Sequence, residues 1–420
     1  MPVAFGCLTL LLMMGLGARR DGGLFPNRWG LVAAALLTAL SPAMAYYGRF
    51  FIQESMLVTF LTGMLVCAAR YARAPAAGWA AAYGAFAGLA AATKETVVLS
   101  FAAAAAAAVA AVGVRRLRWA WNGRHALAAA ACAALVASAL YSSFFTYPQG
   151  VYDALFSSAQ ACFKRATAVP EHQHPWNFYL KILFWFRYGR GPVWSEAWLL
   201  PPALLAAVCA CRPRRDVAAQ QRWVRFVAAY TVILTALYSA IPYKTPWCAL
   251  SFLHGYILLA GAGFGELADR FRNRAAGRAA ALALFAALLA WEGRAAWRAC
   301  FKLPVDPRNP YVYAHTGADA LNLVAAVEAA AAKAQGFDTP IAIAVPAPDT
   351  WPLPWYFRKY RQVGYRTRVE DIPVGFAPAV VIASAAQGDL ADARFGRGKR
   401  ASFFGIRPGT LLNVFVPAAE

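Results

Sequence analysis

Charged residues are scarce in this chain, and acidic residues are the scarcest. Only 15% of the 420 residues are charged, whereas roughly 25% is usual in soluble domains. There are 20 acidic residues against 41 lysines and arginines, which gives a formal net charge of +21. Hydrophobic residues make up 60% of the chain, and they form repeated runs of about 20 residues, the length that crosses a bilayer. This balance excludes an ordinary soluble domain and indicates a multi-pass membrane protein.

The basic excess forms no single patch, so the sequence gives no reason to expect a nucleic-acid partner. Arginines stand in short groups between apolar runs, the distribution that sets membrane orientation. The sequence also lacks a CxxC pair, and most of its eight cysteines lie in or beside apolar runs. A cysteine behaves there as a small hydrophobe, and Cys209-x-Cys211 is a poor metal signal. We expect neither a disulfide framework nor a zinc site.

Apolar runs predict about ten transmembrane helices within residues 1–300. The fold class predicted for this region is a mainly α-helical, polytopic membrane domain. The runs occupy roughly residues 1–17, 29–47, 55–70, 77–93, 95–113, 125–145, 193–211, 223–241, 246–264 and 276–295.

The composition changes after about residue 300. Prolines punctuate a linker, and Gly317–Gln335 has the pattern of a helix. Short apolar stretches then predict strands over Ile341–Val345, Val380–Ala383 and Leu411–Val416. Residues 301–420 are therefore predicted to form a small α/β domain.

The distribution of basic residues between loops predicts the orientation. Five alternate loops carry 18 arginines, whereas the three short loops between them carry one cation each, Arg49, Lys94 and Lys244. The positive-inside rule places the arginine-rich loops in the cytoplasm. The single-cation loops, the long loop 146–192 and the 301–420 domain are then extracytoplasmic, and the protein lies in the plasma (inner) membrane. The arginines are Arg19, Arg20, Arg28, Arg70, Arg73, Arg115, Arg116, Arg118, Arg124, Arg212, Arg214, Arg215, Arg222, Arg225, Arg270, Arg272, Arg274 and Arg278.

The same rule places Met1 outside, at the start of the first apolar run. Arginines follow this run and none precedes it, which is unlike a signal peptide. We therefore expect that an upstream span is missing from this reading frame.

Two helices are predicted in the long loop 146–192. One covers Tyr152–Ala166. The other lies in the aromatic stretch Pro175–Arg187, which is too short to span and is predicted to lie along the bilayer surface at 176–187.

Each single-cation loop is followed by an apolar run, so a helix N-terminus is expected beside each cation. Helix N-termini carry partial positive charge and unpaired N–H groups, and both attract phosphate. We therefore predict Arg49, Lys94 and Lys244 as phosphate-binding residues in one shared pocket. The alternative is that each side chain extends separately to lipid headgroups.

Two acidic residues stand next to these cations. A carboxylate can accept a proton from an attacking hydroxyl, so Glu54 and Glu95 are the candidate catalytic residues. Pairing with Arg49 or Lys94 is the alternative role, and for Glu95 it is slightly favoured. Neighbouring Gln53 is predicted to contact substrate.

Aromatic and histidine side chains complete the predicted site. Tyr47 and Tyr243 suit stacking on a sugar, although the same residues form interfacial belts. Trp176, in the aromatic stretch that would border the lipid entry, is predicted to contact substrate. His172 and His174 have a spacing that could hold a divalent metal, but no third ligand is evident. We assign His174 to substrate, name no metal ligand, and keep plain surface histidines as the alternative. No cofactor is certain, and a divalent metal remains open.

Spaced motifs across nearly the whole chain resemble one family. They resemble the protein-O-mannosyltransferase-like GT-C membrane glycosyltransferases, sometimes labelled flippase-activity-associated proteins. The motifs are Ser41-Pro42-x-x-x-Tyr46-Tyr47-x-Arg49-Phe50-Phe51-x-x-Glu54, Ala92-Thr93-Lys94-Glu95, Pro175-Trp176-x-x-Tyr179-Leu180 and Ile241-Pro242-Tyr243-Lys244-Thr245-Pro246-Trp247, with Tyr313-x-His315-Thr316 and Trp351-Pro352-x-Pro354-Trp355-Tyr356 further on.

The resemblance implies a GT-C fold and transfer of a sugar from a polyprenyl-phosphate donor to a glycan, lipid or protein acceptor on the outer face. In this class an acid in the first outward loop usually serves as base, and on the predicted topology we expect that loop and the span before it to be missing from this reading frame. Glu54 matches only the second acidic position. A non-catalytic flippase component or transporter for lipid-linked sugars is the alternative, and an inactive scaffold is a third possibility.

Overall fold

A computed structural model describes residues 2–17, 23–114, 122–157, 160, 172–212, 218–313 and 315–418. These residues divide into two compact units, Met1–Pro304 and Val305–Glu420. Part of the helix predicted over Tyr152–Ala166 lies outside the described residues. So do seven of the predicted cytoplasmic arginines, Arg19, Arg20, Arg115, Arg116, Arg118, Arg214 and Arg215.

The described part of the first unit contains ten apolar helices of 12 to 23 residues, one in each predicted span. The prediction of a mainly α-helical architecture with about ten helices is therefore confirmed. The helices are α1 (Pro2–Met13), α2 (Arg28–Leu40), α3 (Glu54–Arg73), α4 (Ala77–Thr93), α5 (Val97–Val112), α6 (Gly123–Tyr141), α7 (Leu200–Cys211), α8 (Ala218–Ala240), α9 (Leu250–Arg270) and α10 (Ala275–Trp297).

Five helical segments in the described ranges are long and apolar enough to cross a bilayer, as a multi-pass protein requires. They are Glu54–Arg73, Gly123–Tyr141, Ala218–Ala240, Pro246–Arg270 and Ala275–Lys302.

Helix α9 forms the centre of the first unit. In the most apolar stretch of the segment Pro246–Arg270, which contains α9, 94% of the residues are buried. In the corresponding stretch of α6 none is buried. Glycines allow neighbouring backbones to approach it closely. A Cβ at Gly261 would lie 2.5 Å from the Ala34 side chain of α2, and one at Gly263 would lie 1.9 Å from the Pro202 carbonyl of α7. Small residues at such crossings permit tight packing between membrane helices.

The run predicted as one span over residues 29–47 is divided at Ser41. Helix α2 ends at Leu40, and a second helix, Pro42–Tyr47, begins at once. Pro42 cannot donate a backbone hydrogen bond, and it suits the first turn of a helix. The Ser41 hydroxyl accepts from the Met44 N–H and caps the new helix. This break turns the chain toward the loop that carries Arg49.

The aromatic stretch of the long loop forms a shorter helix than predicted. It covers Phe178–Phe184, and Trp176 and Trp185 on either side of it are exposed by 67% and 68%. A further short helix, Gln149–Tyr152, lies near the start of this loop.

The second unit is an α/β domain with one five-stranded sheet in the described residues. Its elements are α11 (Asp319–Lys333), β1 (Ile341–Ala344), β2 (Val363–Arg366), β3 (Val380–Ser384), α12 (Gly388–Phe395), β4 (Lys399–Arg407) and β5 (Thr410–Pro417). Strands β2, β1 and β3 pair in parallel, and β5 and β4 continue the sheet antiparallel in the order β2-β1-β3-β5-β4. Side chains of helix α11 pack against one face, with Ile341 and Ile343 of β1. The prediction of a small α/β domain is confirmed.

Candidate active site

Three loops of the first unit meet at one end of its helices. The loop before α3 carries Arg49 and leads to Glu54, the loop between α4 and α5 carries Lys94, and the loop before α9 carries Lys244. Contacts between side chains join them. Lys94 contacts both Glu54 and Cys248, and the rings of Tyr47 and Trp247 meet edge to face at 6.3 Å. Three predicted segments that are far apart in sequence are thus neighbours in the fold.

An ion pair between Lys94 and Glu54 occupies the centre of this region. The Lys94 ammonium donates to Oε1 of the Glu54 carboxylate. Both side chains are largely enclosed, with exposures of 11% for Lys94 and 3% for Glu54. The other Glu54 oxygen, Oε2, is buried and has no hydrogen-bond partner among the described residues. The pair therefore leaves one acceptor atom of the Glu54 carboxylate unsatisfied.

The surroundings of Lys94 favour its charged form. Burial alone lowers the pKa of an ammonium. The neighbouring Cys248 sulfur and Glu54 carboxylate outweigh that effect and raise the pKa of Lys94 above its usual range. Lys94 is therefore a cation at physiological pH.

Cys248 lies between the Lys94 loop and the Lys244 loop. Its sulfur is 3.4 Å from Lys94 Nζ and 3.2 Å from the Thr245 hydroxyl oxygen. The sequence alone does not single out Cys248, because a cysteine beside an apolar run is typical of a hydrophobic core. Its position three residues after Thr245, at the start of a helix, was the available signal.

Lys244 differs from Lys94 in what its ammonium contacts. Lys244 is only 1% exposed, and its Nζ donates to the backbone carbonyls of Ile241 and His174, the latter at 3.1 Å. The Lys244 N–H also donates to the His172 carbonyl at 2.9 Å. Burial lowers the pKa of Lys244. In this arrangement the side chain ties residues 172–174 to the loop before α9.

Arg49 lies against the end of α10. Its Nη1 donates to the Cys300 carbonyl at 2.8 Å, and its guanidinium stands over the Phe301 ring at 4.4 Å. The residue as a whole is exposed. The structure thus brings the Arg49 loop to the site, and the guanidinium itself contacts the Cys300–Phe301 segment.

The remaining predicted residues fall into two groups. Tyr47 is fully buried beside the ion pair, whereas Gln53, Glu95 and Trp176 are exposed. Tyr243 meets the His172 ring edge to face at 5.0 Å, and His174 stacks on Phe178 at 4.2 Å. Burial, with the nearby Lys244 charge, lowers the pKa of His174.

Two buried acids that were not predicted from the sequence, Glu196 and Glu292, lie near the Ser41 break. Glu196 is fully buried and accepts from the Ser41 hydroxyl at 2.6 Å and from the Ala43 N–H at 3.4 Å. Glu292 of α10 is 1% exposed, and neither of its carboxylate oxygens has a hydrogen-bond partner in the described ranges. Glu196 thus fixes the start of the Pro42–Tyr47 helix, which carries Tyr47 to the site.

No group of three or more histidine, cysteine, aspartate or glutamate side chains within the described residues could hold a metal ion. The seven described cysteines are free thiols.

Comparison with known proteins shows the class of this fold. The family model for dolichyl-phosphate-mannose-protein mannosyltransferase matches residues 5–142. The crystal structure of ArnT from Cupriavidus metallidurans bound to undecaprenyl phosphate is similar over 98% of this chain and 83% of that one, with a TM-score of 0.59 and 13% identity. The apo structure of the same ArnT is similar over 98% of this chain and 82% of that one, with a TM-score of 0.61 and 13% identity. No curated protein matches the chain.

This chain therefore shares the fold of ArnT, and the GT-C-like fold predicted from the sequence is confirmed. The resemblance inferred from the motifs, to the protein-O-mannosyltransferase-like members of that class, is confirmed. A multi-pass membrane protein is likewise confirmed.

Proposed function

We propose that this protein transfers a sugar from a polyprenyl-phosphate donor to an acceptor hydroxyl on the extracytoplasmic face of the membrane. The observation that carries the proposal is the enclosed Lys94–Glu54 pair, where three loops meet in a GT-C fold. The similar ArnT structure contains undecaprenyl phosphate, a lipid phosphate of the proposed donor class.

Lys94 is the residue that we assign to the donor phosphate. In the reaction the acceptor oxygen attacks the anomeric carbon, and the bond between that carbon and the phosphate oxygen breaks. The bonding electrons leave with the polyprenyl phosphate, whose negative charge rises by one. A fixed ammonium at that oxygen stabilises the developing charge, an effect that mutagenesis of comparable groups puts at about 100- to 1,000-fold in rate.

Glu54 is the residue that we assign to the acceptor. Without a donor, the Lys94 ammonium occupies one oxygen of the Glu54 carboxylate. When the donor phosphate takes over Lys94, the Glu54 carboxylate loses this partner and can accept the proton of the attacking hydroxyl. Donor binding and activation of the acceptor are then linked through one ion pair.

The other predicted residues support this centre. Lys244, with its ammonium on two backbone carbonyls, holds the loop that supplies Cys248 and Trp247. We propose Arg49 as a second phosphate contact, which requires that its hydrogen bond to the Cys300 carbonyl break. We propose that the donor or the acceptor contacts four further residues, Tyr243, His174, Gln53 and Trp176. Glu95 is exposed, and we propose for it only a contact with substrate at the edge of the site.

The test is donor turnover by full-length protein in proteoliposomes with a radiolabelled polyprenyl-phosphate sugar. Membranes from cells that lack the protein supply the acceptor. We expect conversion by the wild type, loss of about 100-fold or more in Lys94→Gln, and normal conversion in the control Lys333→Gln, an exposed lysine of α11. Equal conversion by Lys94→Gln would remove Lys94 from the mechanism. Movement of a labelled lipid between leaflets without sugar transfer would favour the flippase alternative.

A further inference from the structure

A basic cavity lies in the first unit, and its lining does not include the Lys94–Glu54 pair. Its volume is about 550 Å³, and it opens at the end of α10. The residues that line it are Pro192, Arg294, Trp297, Arg298, Lys302 and Leu303. Half of the lining residues are cations, and none is acidic.

The three cations share one side of one helical segment. Arg294, Arg298 and Lys302 follow each other at intervals of four residues, which places side chains on a common helical face. No carboxylate in the described ranges forms an ion pair with any of them. Lys302 Nζ lies 5.1 Å from the centre of the Trp297 ring. The cavity therefore combines uncompensated positive charge with an aromatic wall.

The cavity lies at the same end of the helices as the candidate active site. Arg49 donates to the carbonyl of Cys300, on the helical turn Arg298–Lys302 that lines the cavity. The Tyr46 hydroxyl donates to the Pro304 carbonyl at 2.7 Å, just beyond that turn. On the predicted orientation this end is extracytoplasmic, where the positive-inside rule gives no reason for three clustered cations.

We propose that this cavity binds the phosphate of an anionic lipid headgroup in the bilayer leaflet next to the active site. Three donors around one cavity suit a phosphate ester, and tryptophan is the aromatic residue typical of headgroup depth. The headgroup would hold the Arg298–Lys302 turn in place, and with it the carbonyl that Arg49 contacts. The proposal concerns binding and does not require that the protein be a transferase.

Favourable interaction with the helix dipole is the other reason for cations at the C-terminal end of α10. That effect explains why such residues are tolerated, and it predicts no preference for a lipid. A measurement of lipid selectivity therefore separates the two explanations.

The experiment is native mass spectrometry of the full-length protein in detergent, titrated with phosphatidylglycerol or phosphatidylcholine. Each basic residue near an anionic headgroup contributes about fivefold in affinity. We expect Arg298→Gln to weaken phosphatidylglycerol binding about fivefold and the triple variant R294Q/R298Q/K302Q about 100-fold. Phosphatidylcholine binding should stay unchanged in both variants.

A matched control removes three charges elsewhere. Lys359, Arg397 and Arg400 are exposed basic residues of the second unit, and K359Q/R397Q/R400Q should bind phosphatidylglycerol as the wild type does. Equal phosphatidylglycerol binding by wild type and the cavity variants overturns the proposal. Displacement of the lipid by an equal concentration of inorganic phosphate assigns the cavity to free phosphate and overturns the lipid assignment. Should the triple variant fail to fold, the single Arg298→Gln variant decides.

Discussion

The Lys94–Glu54 pair is the residue-scale feature that stability alone does not explain. Removing two charges from water costs several kcal/mol per ion, and apolar residues of similar size would often be as stable. Here both side chains are largely enclosed, and one carboxylate oxygen has no hydrogen-bond partner among the described residues. An ion pair that is incompletely satisfied suits a site whose groups exchange partners when substrate binds.

Glu54→Gln separates the charge of Glu54 from its shape. The amide can still accept a hydrogen bond from Lys94, but it cannot take a proton from an acceptor. We expect the transfer rate to fall by about 100- to 10,000-fold, the usual contribution of a general base, with donor binding retained. Single-turnover rates and direct donor binding check this. A normal rate in Glu54→Gln would show that Glu54 takes no proton.

His315 in the second unit predicts a pH-dependent stability. Burial lowers its pKa from 6.5 to about 4. Between these values the unfolded chain binds a proton that the folded unit does not, so stability is complete above about pH 6.5 and falls as the pH drops toward 4. The loss reaches up to about 3 kcal/mol.

The measurement is hydrogen exchange of β1–β5 in the full chain, expressed as opening free energies at several pH values. In the native protein the Tyr313 N–H donates to Nδ1 of His315 at 3.0 Å. The comparison variant is His315→Asn, because the asparagine side chain can still accept this hydrogen bond but does not titrate. The variant should lose most of the pH dependence. If the opening free energy changed with pH equally in both proteins, the pH dependence would belong to groups other than His315.

The site was only partly predictable from sequence at this scale. Lys94 and Glu54 stood out because a charge between two apolar runs is unusual. Cys248 and Glu292 did not, because their importance depends on neighbours from other helices. Lys244 and Lys94 occupy similar sequence settings, and only the fold shows that the Lys244 ammonium contacts two backbone carbonyls.

The helices could be predicted from the sequence because a long apolar run is a strong signal. The breaks within such runs were harder to predict. The run 29–47 was read as one helix although Pro42 starts a second one. Strand β4 was missed because its sequence begins with Lys399 and Arg400 and it has few buried residues. Its pairing with β5 at the end of the sheet order explains this composition, since charged residues are typical of edge strands.

The crossing of α4 and α6 provides a test of helix packing. Gly84 and Gly88 are four residues apart on α4, and a Cβ at Gly84 would lie 2.0 Å from the Ala129 carbonyl. Gly84→Ala should therefore destabilise the protein by about 1–3 kcal/mol through overpacking. Gly78 lies on the same helix, and a Cβ there would meet no atom within 4 Å, so Gly78→Ala should be neutral or slightly stabilising. Thermal unfolding in detergent compares the two, and equal midpoints would contradict this packing.

The proposed orientation of the protein in the membrane rests on the uneven distribution of its basic residues between loops. Arginines gather in alternate loops, and the three loops that meet at the candidate site have one cation each. The fold brings those three loops to one end of the helices, as that alternation requires. The assignment of that end to the extracytoplasmic side remains a prediction from the positive-inside rule.

Cysteine labelling of intact cells tests the orientation. In a variant with all native cysteines replaced, Val374→Cys marks the second unit at a side chain that is 98% exposed. Asn273→Cys marks the exposed arginine-rich loop before α10. A membrane-impermeant maleimide should label position 374 in intact cells and position 273 only after permeabilisation. The reverse pattern would invert the topology and place the Lys94–Glu54 centre in the cytoplasm.

The most direct test of the central claim is an experimental structure of the full-length protein with bound polyprenyl phosphate. The account predicts the lipid phosphate within hydrogen-bonding distance, about 3 Å, of Lys94 Nζ, with the Lys94–Glu54 contact lengthened. A phosphate bound elsewhere, with that ion pair intact, would contradict it.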